Sequence, residues 1–169
     1  MLQQNSTNIL RGFSILQRGH GVLLSEISSV QSVSPILFLL STVRSDDRTA
    51  SIFLTGYDPA NTMGAPRTLL KGRQIVSDSE IVIDKAFAAK MKLRIGDCIQ
   101  IRDITLKIVG LSEGTNMFVI QYGFVSLKTA HAALGLEGIV SCYLVKIKES
   151  QNKDTVAYEI RQEIPGVEV

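Results

Sequence analysis

The sequence predicts an α+β fold in which two flanking α/β segments enclose a β-rich insertion. Three observations support this prediction. Strand-like apolar runs alternate with helical apolar spacing near both ends, giving β-α-β-β first and α-β-α-β last. The middle of the chain shows period-two alternation interrupted by turn residues. Two flanking α/β halves can share one sheet, so we interpret the central block as an insertion.

The composition is that of a globular domain. Of 169 residues, 45% are hydrophobic and 20% are charged, which argues against disorder. The longest apolar run, Pro35–Leu40, is far shorter than the ~18 residues that cross a bilayer. The start of the chain lacks the charged and apolar regions of a signal peptide. The net charge is +2 without a basic run, so nucleic-acid binding is not expected.

The first α/β segment begins after a polar stretch. Residues 1–10 are predicted to be a flexible lead-in, followed by a short strand at Phe13–Leu16. Apolar residues at 23, 24, 27 and 30 predict a helix over Val22–Val30. We expect this helix to close by Pro35, because the residue before a proline avoids the α region.

Two long apolar runs then predict a hairpin. Ile36–Arg44 and Thr49–Tyr57 flank the polar loop Ser45–Arg48. Because both faces of the hairpin over residues 36–57 carry apolar residues, it is a candidate contact element. The alternative is a strand pair buried in the core, and the pattern favours that interpretation.

The predicted insertion, residues 67–125, has a mainly β pattern. Asp84 is a good N-cap for a short helix that follows a strand. Its predicted elements, in order, are a strand at Glu80–Ile83, a helix at Lys85–Met91, a hairpin of Cys98–Ile101 with Leu106–Val109, and a strand at Met117–Val125.

The last segment, residues 126–169, returns to α/β alternation. Ser126 caps a predicted helix that runs through Leu134 and ends at Gly135. A strand at Ile139–Lys148 follows. Residues Gln151–Ile164 then form an amphipathic helix, with Val156, Ile160 and Ile164 on one face, before a final strand.

One motif suggests an enzyme. Gly110–Gly114 matches the G-x-S-x-G spacing of a nucleophile elbow, with Ser112 as the serine. An elbow must follow a strand and open a helix, whereas a strand is predicted after this motif. This context argues against an enzyme. The alternative to a non-enzymatic domain is an extracytoplasmic serine hydrolase, with Ser112 as nucleophile and His131 as base.

The other reactive side chains are interpreted as structural. His20 lacks partners at metal-ligand spacing, and His131 is predicted to be a surface or boundary residue of a helix. Asp46–Asp47 and the pair Asp78 and Glu80 are interpreted as turn residues, because no twelve-residue calcium loop is present. Cys98 and Cys142 fall in apolar strand patterns, so both are predicted to be small buried side chains with free thiols. We predict no catalytic, cofactor-binding or metal-binding residues.

Several segments, taken in order, resemble the MacB-type extracytoplasmic domain of FtsX-like ABC-transporter permeases. The segments are Val33–Ile36, Leu69–Arg73, Glu80–Asp84, Leu93–Asp97, Lys107–Leu111 and Ile164–Val169. The likeness covers the chain from about Phe13 onward. Residues Ile108–Met117 with Gln121 and Tyr122 are similar to the DevC and lipoprotein-export branches.

The resemblance implies a fold and a setting. It implies a porter-like α/β subdomain, residues 11–66 and 126–169, with an inserted Sabre-like subdomain, residues 67–125. The domain would lie between the first and second transmembrane helices, on the periplasmic or extracellular side of the cell membrane. That position would explain why the final predicted strand runs to Val169.

The resemblance also implies partners in place of chemistry. It implies an ABC ATPase that acts through the membrane part and binds the nucleotide, since the chain has no Walker-type phosphate loop. A periplasmic adaptor or a second permease copy would contact the domain outside the membrane. The expected function is to transmit conformational change and to contact partner or cargo, without enzymatic activity.

Overall fold

A computed structural model describes residues 1–3, 14–117 and 120–169, and the side chains of residues 116–120 are outside the description. The described chain divides into two compact units, Met1–Ile36 with Glu137–Val169 and Leu37–Leu136. The subdomain boundaries predicted from the sequence lie at residues 66/67 and 125/126. The assignment of porter-like and Sabre-like subdomains stays a prediction.

The first unit, called the terminal unit, contains both ends of the described chain. Its elements are β1 (Leu2–Gln3), β2 (Leu16–Gln17), α1 (His20–Glu26), the first part of β3 (Val30–Ser45), β11 (Ile139–Val140), β12 (Cys142–Ile147), α4 (Lys153–Glu163) and β13 (Val167–Glu168). β1 pairs with β13, β2 with β11, and β12 with Val30–Ile36 of β3, all antiparallel.

Helix α4 contributes the apolar face that the sequence predicts to the core of the terminal unit. Val156, Ile160 and Ile164 are each no more than 2% exposed. The helix begins where the side chain of Asn152 accepts hydrogen bonds from the backbone N–H groups of Asp154 and Thr155. The same core holds Leu24 of α1 and Tyr143 of β12.

The predicted helix Val22–Val30 is wrong in its extent. Helix α1 spans His20–Glu26, and Val30 already pairs with Ile147 as the first residue of β3. Leu24, Ile27 and Val30 are all buried, and their spacing in the sequence is that of a helix. The backbone nevertheless leaves the helix after Glu26 and begins a strand at Val30. Pro35 lies inside β3, opposite Tyr143, which agrees with the extended preference that proline imposes on its predecessor.

The second unit, called the central unit, contains the rest of β3 and the remaining elements. These are β4 (Arg48–Tyr57), β5 (Leu69–Gly72), β6 (Glu80–Asp84), α2 (Lys85–Met91), β7 (Cys98–Ile101), β8 (Ile104–Ser112), β9 (Asn116–Met117), β10 (Ile120–Ser126) and α3 (Leu127–Leu134).

Strands of the central unit form a hydrogen-bonded ladder that closes on itself. β3 pairs with β4, β4 with β10, β10 with β6, β6 with β8, β8 with β7, and β7 again with β3. β5 adds to β8 at the side. Alternate residues of these strands, such as Leu39, Ile52, Ile83 and Ile101, join one core with residues of both helices.

Local signals in the sequence determine both helices of the central unit. Asp84 accepts a hydrogen bond from the Ala86 N–H at 2.8 Å and caps α2, and Ser126 accepts one from the Thr129 N–H at 3.0 Å and caps α3. Gly135 ends α3 with a φ of 76°, a conformation that glycine adopts without strain. The predicted extents of these two helices are confirmed.

Two predicted strands are shorter than expected. The strand predicted over Ile139–Lys148 is divided at Ser141 into β11 and β12, because β11 pairs with β2 whereas β12 pairs with β3. The strand predicted over Met117–Val125 is divided into β9 and β10. Of the predicted lead-in, Leu2–Gln3 form β1 because β13 supplies their partner, and residues 4–10 lie outside the described residues.

Candidate functional site

The β3–β4 hairpin presents two different faces. Leu37, Leu39, Ile52 and Leu54 are buried in the core of the central unit. On the opposite face Leu40 is 62% exposed. The hairpin is therefore both a core strand pair, as the pattern favours, and a surface that a partner can reach.

The outer face of the hairpin carries a row of aromatic rings. Phe38 stacks on Phe53 with a centroid separation of 5.6 Å. Phe53 meets Tyr122 edge-to-face at 5.3 Å, and Tyr122 stacks with Phe124 at 6.4 Å. These geometries are the favourable ones for aromatic pairs. The rings bind β3, β4 and β10 together on the side away from the helices.

Beside this face lies a cleft of about 450 Å³. It is bounded by residues of β3 and by the end of β7 with the turn that follows. The lining residues are Leu40, Ser41, Thr42, Arg44, Gln100, Arg102 and Asp103. The sequence identifies the hairpin but not this cleft, because no local pattern shows where one strand stops pairing with the next.

Ser112 does not occupy the setting of a nucleophile. It is fully buried at the end of β8, and a bend and then β9 follow it in place of a helix. Thr115 donates a hydrogen bond to Asp84 Oδ2 at 2.7 Å. The Ser112 hydroxyl therefore donates its proton to Thr115 Oγ1, at 2.6 Å. This network supports the capping carboxylate of Asp84, whereas a nucleophile must face a substrate.

His131, the base of the hydrolase hypothesis, is buried near the C-terminal end of α3, contrary to its prediction as a surface or boundary residue. The hydroxyl of Ser112 is hydrogen-bonded to Thr115, as part of the network that ends at Asp84. The other histidine, His20, is half-buried in α1 of the terminal unit.

The two carboxylates of Asp78 and Glu80 bind different partners. Arg73 forms a bidentate ion pair with Glu80, which also accepts a hydrogen bond from the Val76 N–H at 2.9 Å. These hydrogen bonds, with that from Arg73 largest, lower the pKa of Glu80 to about 2. The Asp78 carboxylate accepts from Ser126 at 2.6 Å, which lowers its pKa.

These carboxylates therefore join segments of the chain and do not form an acid–base pair. Both remain charged at neutral pH, because each pKa is lowered by the hydrogen bonds that the charged form accepts. Within the described residues, no group of three or more histidine, cysteine or acidic side chains is arranged to hold a metal ion.

Asp46 and Asp47 form the two-residue turn of the hairpin, and the φ of Asp46 is 47°. They line an open cleft of about 580 Å³ with residues around the end of α2. Arg48 donates to the carbonyl oxygen of Met91 at 3.0 Å, which ties the hairpin to α2. Their position confirms the interpretation of both aspartates as turn residues.

Both cysteines are free thiols, as predicted. Cys142 is buried in β12, and burial raises the pKa of its thiol to about 11, so it behaves as a small apolar side chain. Cys98 is exposed, contrary to the prediction of a buried residue, because the alternation of β7 turns Ile99 and Ile101 inward and Cys98 outward.

No helix in the described ranges is both long and apolar enough to cross a bilayer. A family model described as the MacB-like periplasmic core domain matches residues 6–163. No curated protein sequence gives a significant match to the chain.

Two solved structures have a similar fold. The periplasmic region of MacB from Actinobacillus actinomycetemcomitans is 14% identical, with a TM-score of 0.77 over 95% of this chain and 79% of that one. The extracellular domain of the noncanonic ABC-type transporter YknZ from Gram-positive bacteria is 12% identical. Its TM-score is 0.71, over 96% of this chain and 91% of that one. These similarities confirm the α+β fold class.

Proposed function

This chain belongs to the family of MacB-like periplasmic core domains, and from that premise we propose that it transmits conformational change from the membrane to partners outside it. The domain is the extracytoplasmic part of an ABC-transporter permease. The driving partner is an ABC ATPase that acts through the membrane-embedded part. The domain lies on the periplasmic or extracellular side of the cell membrane.

The pairing of the two chain ends carries this proposal. Leu2 lies opposite Glu168 and Gln3 lies opposite Val167 in the antiparallel ladder of β1 and β13. Segments that continue from these two ends therefore act on the same place in the terminal unit. If transmembrane helices follow on either side, their relative movement is applied directly to this ladder.

Buried contacts connect the ladder to the rest of the terminal unit. Val167 of β13 lies in the same core as Val156 and Ile160 on α4 and Ile164 directly after it. A helix that is packed along its apolar face moves as a unit with the core, because protein interiors are close-packed. A displacement of the ladder is therefore passed to α4 and to the strands beneath it.

Strand β3 then supplies a path between the units. It is 16 residues long and its residues belong to the terminal unit up to Ile36 and to the central unit from Leu37. The outer face of the β3–β4 hairpin is the proposed contact surface for a periplasmic adaptor, a cargo or a second permease copy.

Distance measurements in the full-length transporter test this proposal. Spin labels at Tyr158→Cys in the terminal unit and Leu70→Cys in the central unit occupy exposed positions, in a Cys98→Ser background. We expect the distance distribution to change when ATP replaces ADP. As a control, labels at Leu70→Cys and Leu136→Cys, both in the central unit, should give the same distribution with either nucleotide. Distributions that are insensitive to nucleotide for both pairs would contradict transmission.

A further inference from the structure

In the part of the chain that is described, one edge of β3 lacks a partner strand over part of the central unit. β4 pairs with all of Leu37–Ser45 along the first edge. Along the second edge β7 pairs only with Val43 and Arg44. The chain turns away after Ile101 into β8, so β7 ends there. No described strand of the central unit pairs with the second edge at Leu40–Thr42.

The register determines which residues face the open edge. Ser45 pairs with Arg48 across a two-residue turn, and such a pair exchanges both backbone hydrogen bonds. Odd-numbered residues such as Ser41 therefore bond to β4, and even-numbered ones turn their N–H and C=O groups to the other edge. Leu40 and Thr42 present these groups to the open edge.

The open edge is accessible. Leu40 is 62% exposed, Thr42 is exposed, and both line the cleft of about 450 Å³. An unpaired strand edge is a template on which another extended segment adds by backbone hydrogen bonds. The cleft adjoins the turn Arg102–Asp103, and its volume of about 450 Å³ suits a single extended segment.

The charges that line the cleft identify the kind of segment. Arg44 and Arg102 bring two positive charges against one negative charge, that of Asp103. In the part of the chain that is described, neither arginine forms an ion pair. The guanidinium of Arg102 also lies near Gly135, at the end of α3. Because two arginines face one aspartate, the cleft has an excess of positive charge and complements a carboxylate.

We propose that the β3 edge at Leu40–Thr42 binds an extended acidic peptide segment by strand addition. Backbone groups of Leu40 and Thr42 pair with the segment, an acidic group meets Arg44 and Arg102, and an apolar side chain packs beside Leu40. This inference rests on the proposed contact function and names the chemistry of its partner. Its tests use neither nucleotide nor membrane, so they can fail independently of transmission.

Amide hydrogen exchange of the 169-residue chain, followed by NMR, tests the open edge. The amides of Leu40 and Thr42 should exchange roughly a hundredfold faster than those of Leu39 and Ser41, which bond to β4. Equal protection at the four positions would overturn the proposal, because it would mean that the edge is already occupied.

Fluorescence anisotropy with a labelled octapeptide of alternating valine and glutamate tests the partner. We expect binding that protects the amides of Leu40 and Thr42, and roughly tenfold weaker binding of the valine–lysine octapeptide. Arg102→Glu should reverse this preference. Lys107→Glu, an equal charge reversal on β8 outside the lining of the cleft, should leave it unchanged.

A further variant blocks the backbone pairing itself. Thr42→Pro removes one edge-facing N–H and should abolish binding of the acidic octapeptide. Because proline can disturb β3, Arg102→Glu provides the independent test at the surface. Equal binding of both octapeptides, or binding of neither, would overturn the proposal. Concentration-dependent dimers that protect Leu40 and Thr42 without peptide would assign the edge to a second copy instead.

Discussion

At the scale of single residues, buried polar side chains stabilise connections between segments. Ser112, Thr115 and Asp84 form one hydrogen-bonded chain that ends at the N-terminus of α2. Arg73 and Glu80 join the segment after β5 to the start of β6. The partners of these side chains lie inside the fold. Their hydrogen bonds therefore stabilise the fold, whereas their sequence motifs suggested reactive groups.

Ser112→Ala separates a structural serine from a catalytic one. Loss of the hydrogen bond to Thr115 should lower the free energy of unfolding by about 1 kcal/mol, measured by urea denaturation. The unsubstituted protein should not react with a serine-directed fluorophosphonate. Labelling of Ser112, observed by mass spectrometry and lost in Ser112→Ala, would instead support the hydrolase hypothesis.

Glu80 predicts a specific dependence of stability on pH. Its pKa is lowered from 4.5 to about 2 in the folded chain, so its stabilisation is present above pH 4.5 and lost as the pH falls towards 2. Glu80→Gln removes the ion pair and should lower the unfolding free energy at pH 7 by roughly 1 kcal/mol. The cost is small because Arg73 is exposed to solvent, which weakens the pair.

The cost of Glu80→Gln should disappear between about pH 5 and pH 2, in parallel denaturation series of both proteins. Glu149→Gln removes an exposed carboxylate from the terminal unit and serves as the matched control. A cost for Glu80→Gln that stays constant down to pH 2 would contradict the assigned ion pair.

At the scale of elements, close packing of α3 on β4 depends on a glycine. A Cβ at Gly56 would lie 2.3 Å from the Cβ of Ala130, which no relaxed contact permits. Gly56→Ala should therefore lower the unfolding free energy by roughly 2 kcal/mol. The double variant Gly56→Ala with Ala130→Gly should recover part of this loss. Additive effects of the two changes would show that the residues do not touch.

Helix α4 offers a matched pair of substitutions. Ile160→Ala removes a side chain that is 1% exposed and should cost roughly 2–4 kcal/mol in thermal or chemical unfolding. Tyr158→Ala, two residues earlier and 63% exposed, should change stability by less than about 0.5 kcal/mol. Similar costs for both would contradict the observed face of α4.

The elements that sequence analysis predicted well are those with local chemical signals. Asp84, Ser126 and Gly135 mark helix ends by their own hydrogen bonds or backbone freedom. The elements that it missed depend on distant partners. Pro35 ended the predicted first helix, yet it lies in β3 because β12, more than a hundred residues later, pairs beside it.

The candidate site follows the same division. Apolar residues on both faces of residues 36–57 made the hairpin a candidate contact element, although the pattern favoured a buried strand pair. The open edge at Leu40–Thr42 has no sequence signal, because it depends on β7 ending at Ile101, opposite Val43. Likewise the serine motif at Ser112 matched in spacing, and only the fold shows that this side chain faces inward.

At the scale of the whole molecule, the two chain ends pair with one another and β3 has residues in both units. This arrangement suits a domain that receives movement at its ends and presents contact surfaces elsewhere. The family match gives the extracytoplasmic setting, and the ladder of β1 and β13 is the proposed route for the signal.

Locking the two chain ends together is the most direct test of transmission. Leu2 and Glu168 lie opposite each other in the antiparallel ladder. Opposite residues have Cα atoms roughly 4.5–5.5 Å apart, a distance that a disulfide can bridge. In the full-length transporter, Leu2→Cys with Glu168→Cys under oxidising conditions should abolish the ATP-dependent change between labels at residues 158 and 70. Reduction should restore it. An unchanged response with the disulfide formed would contradict the claim that movement enters through the paired ends.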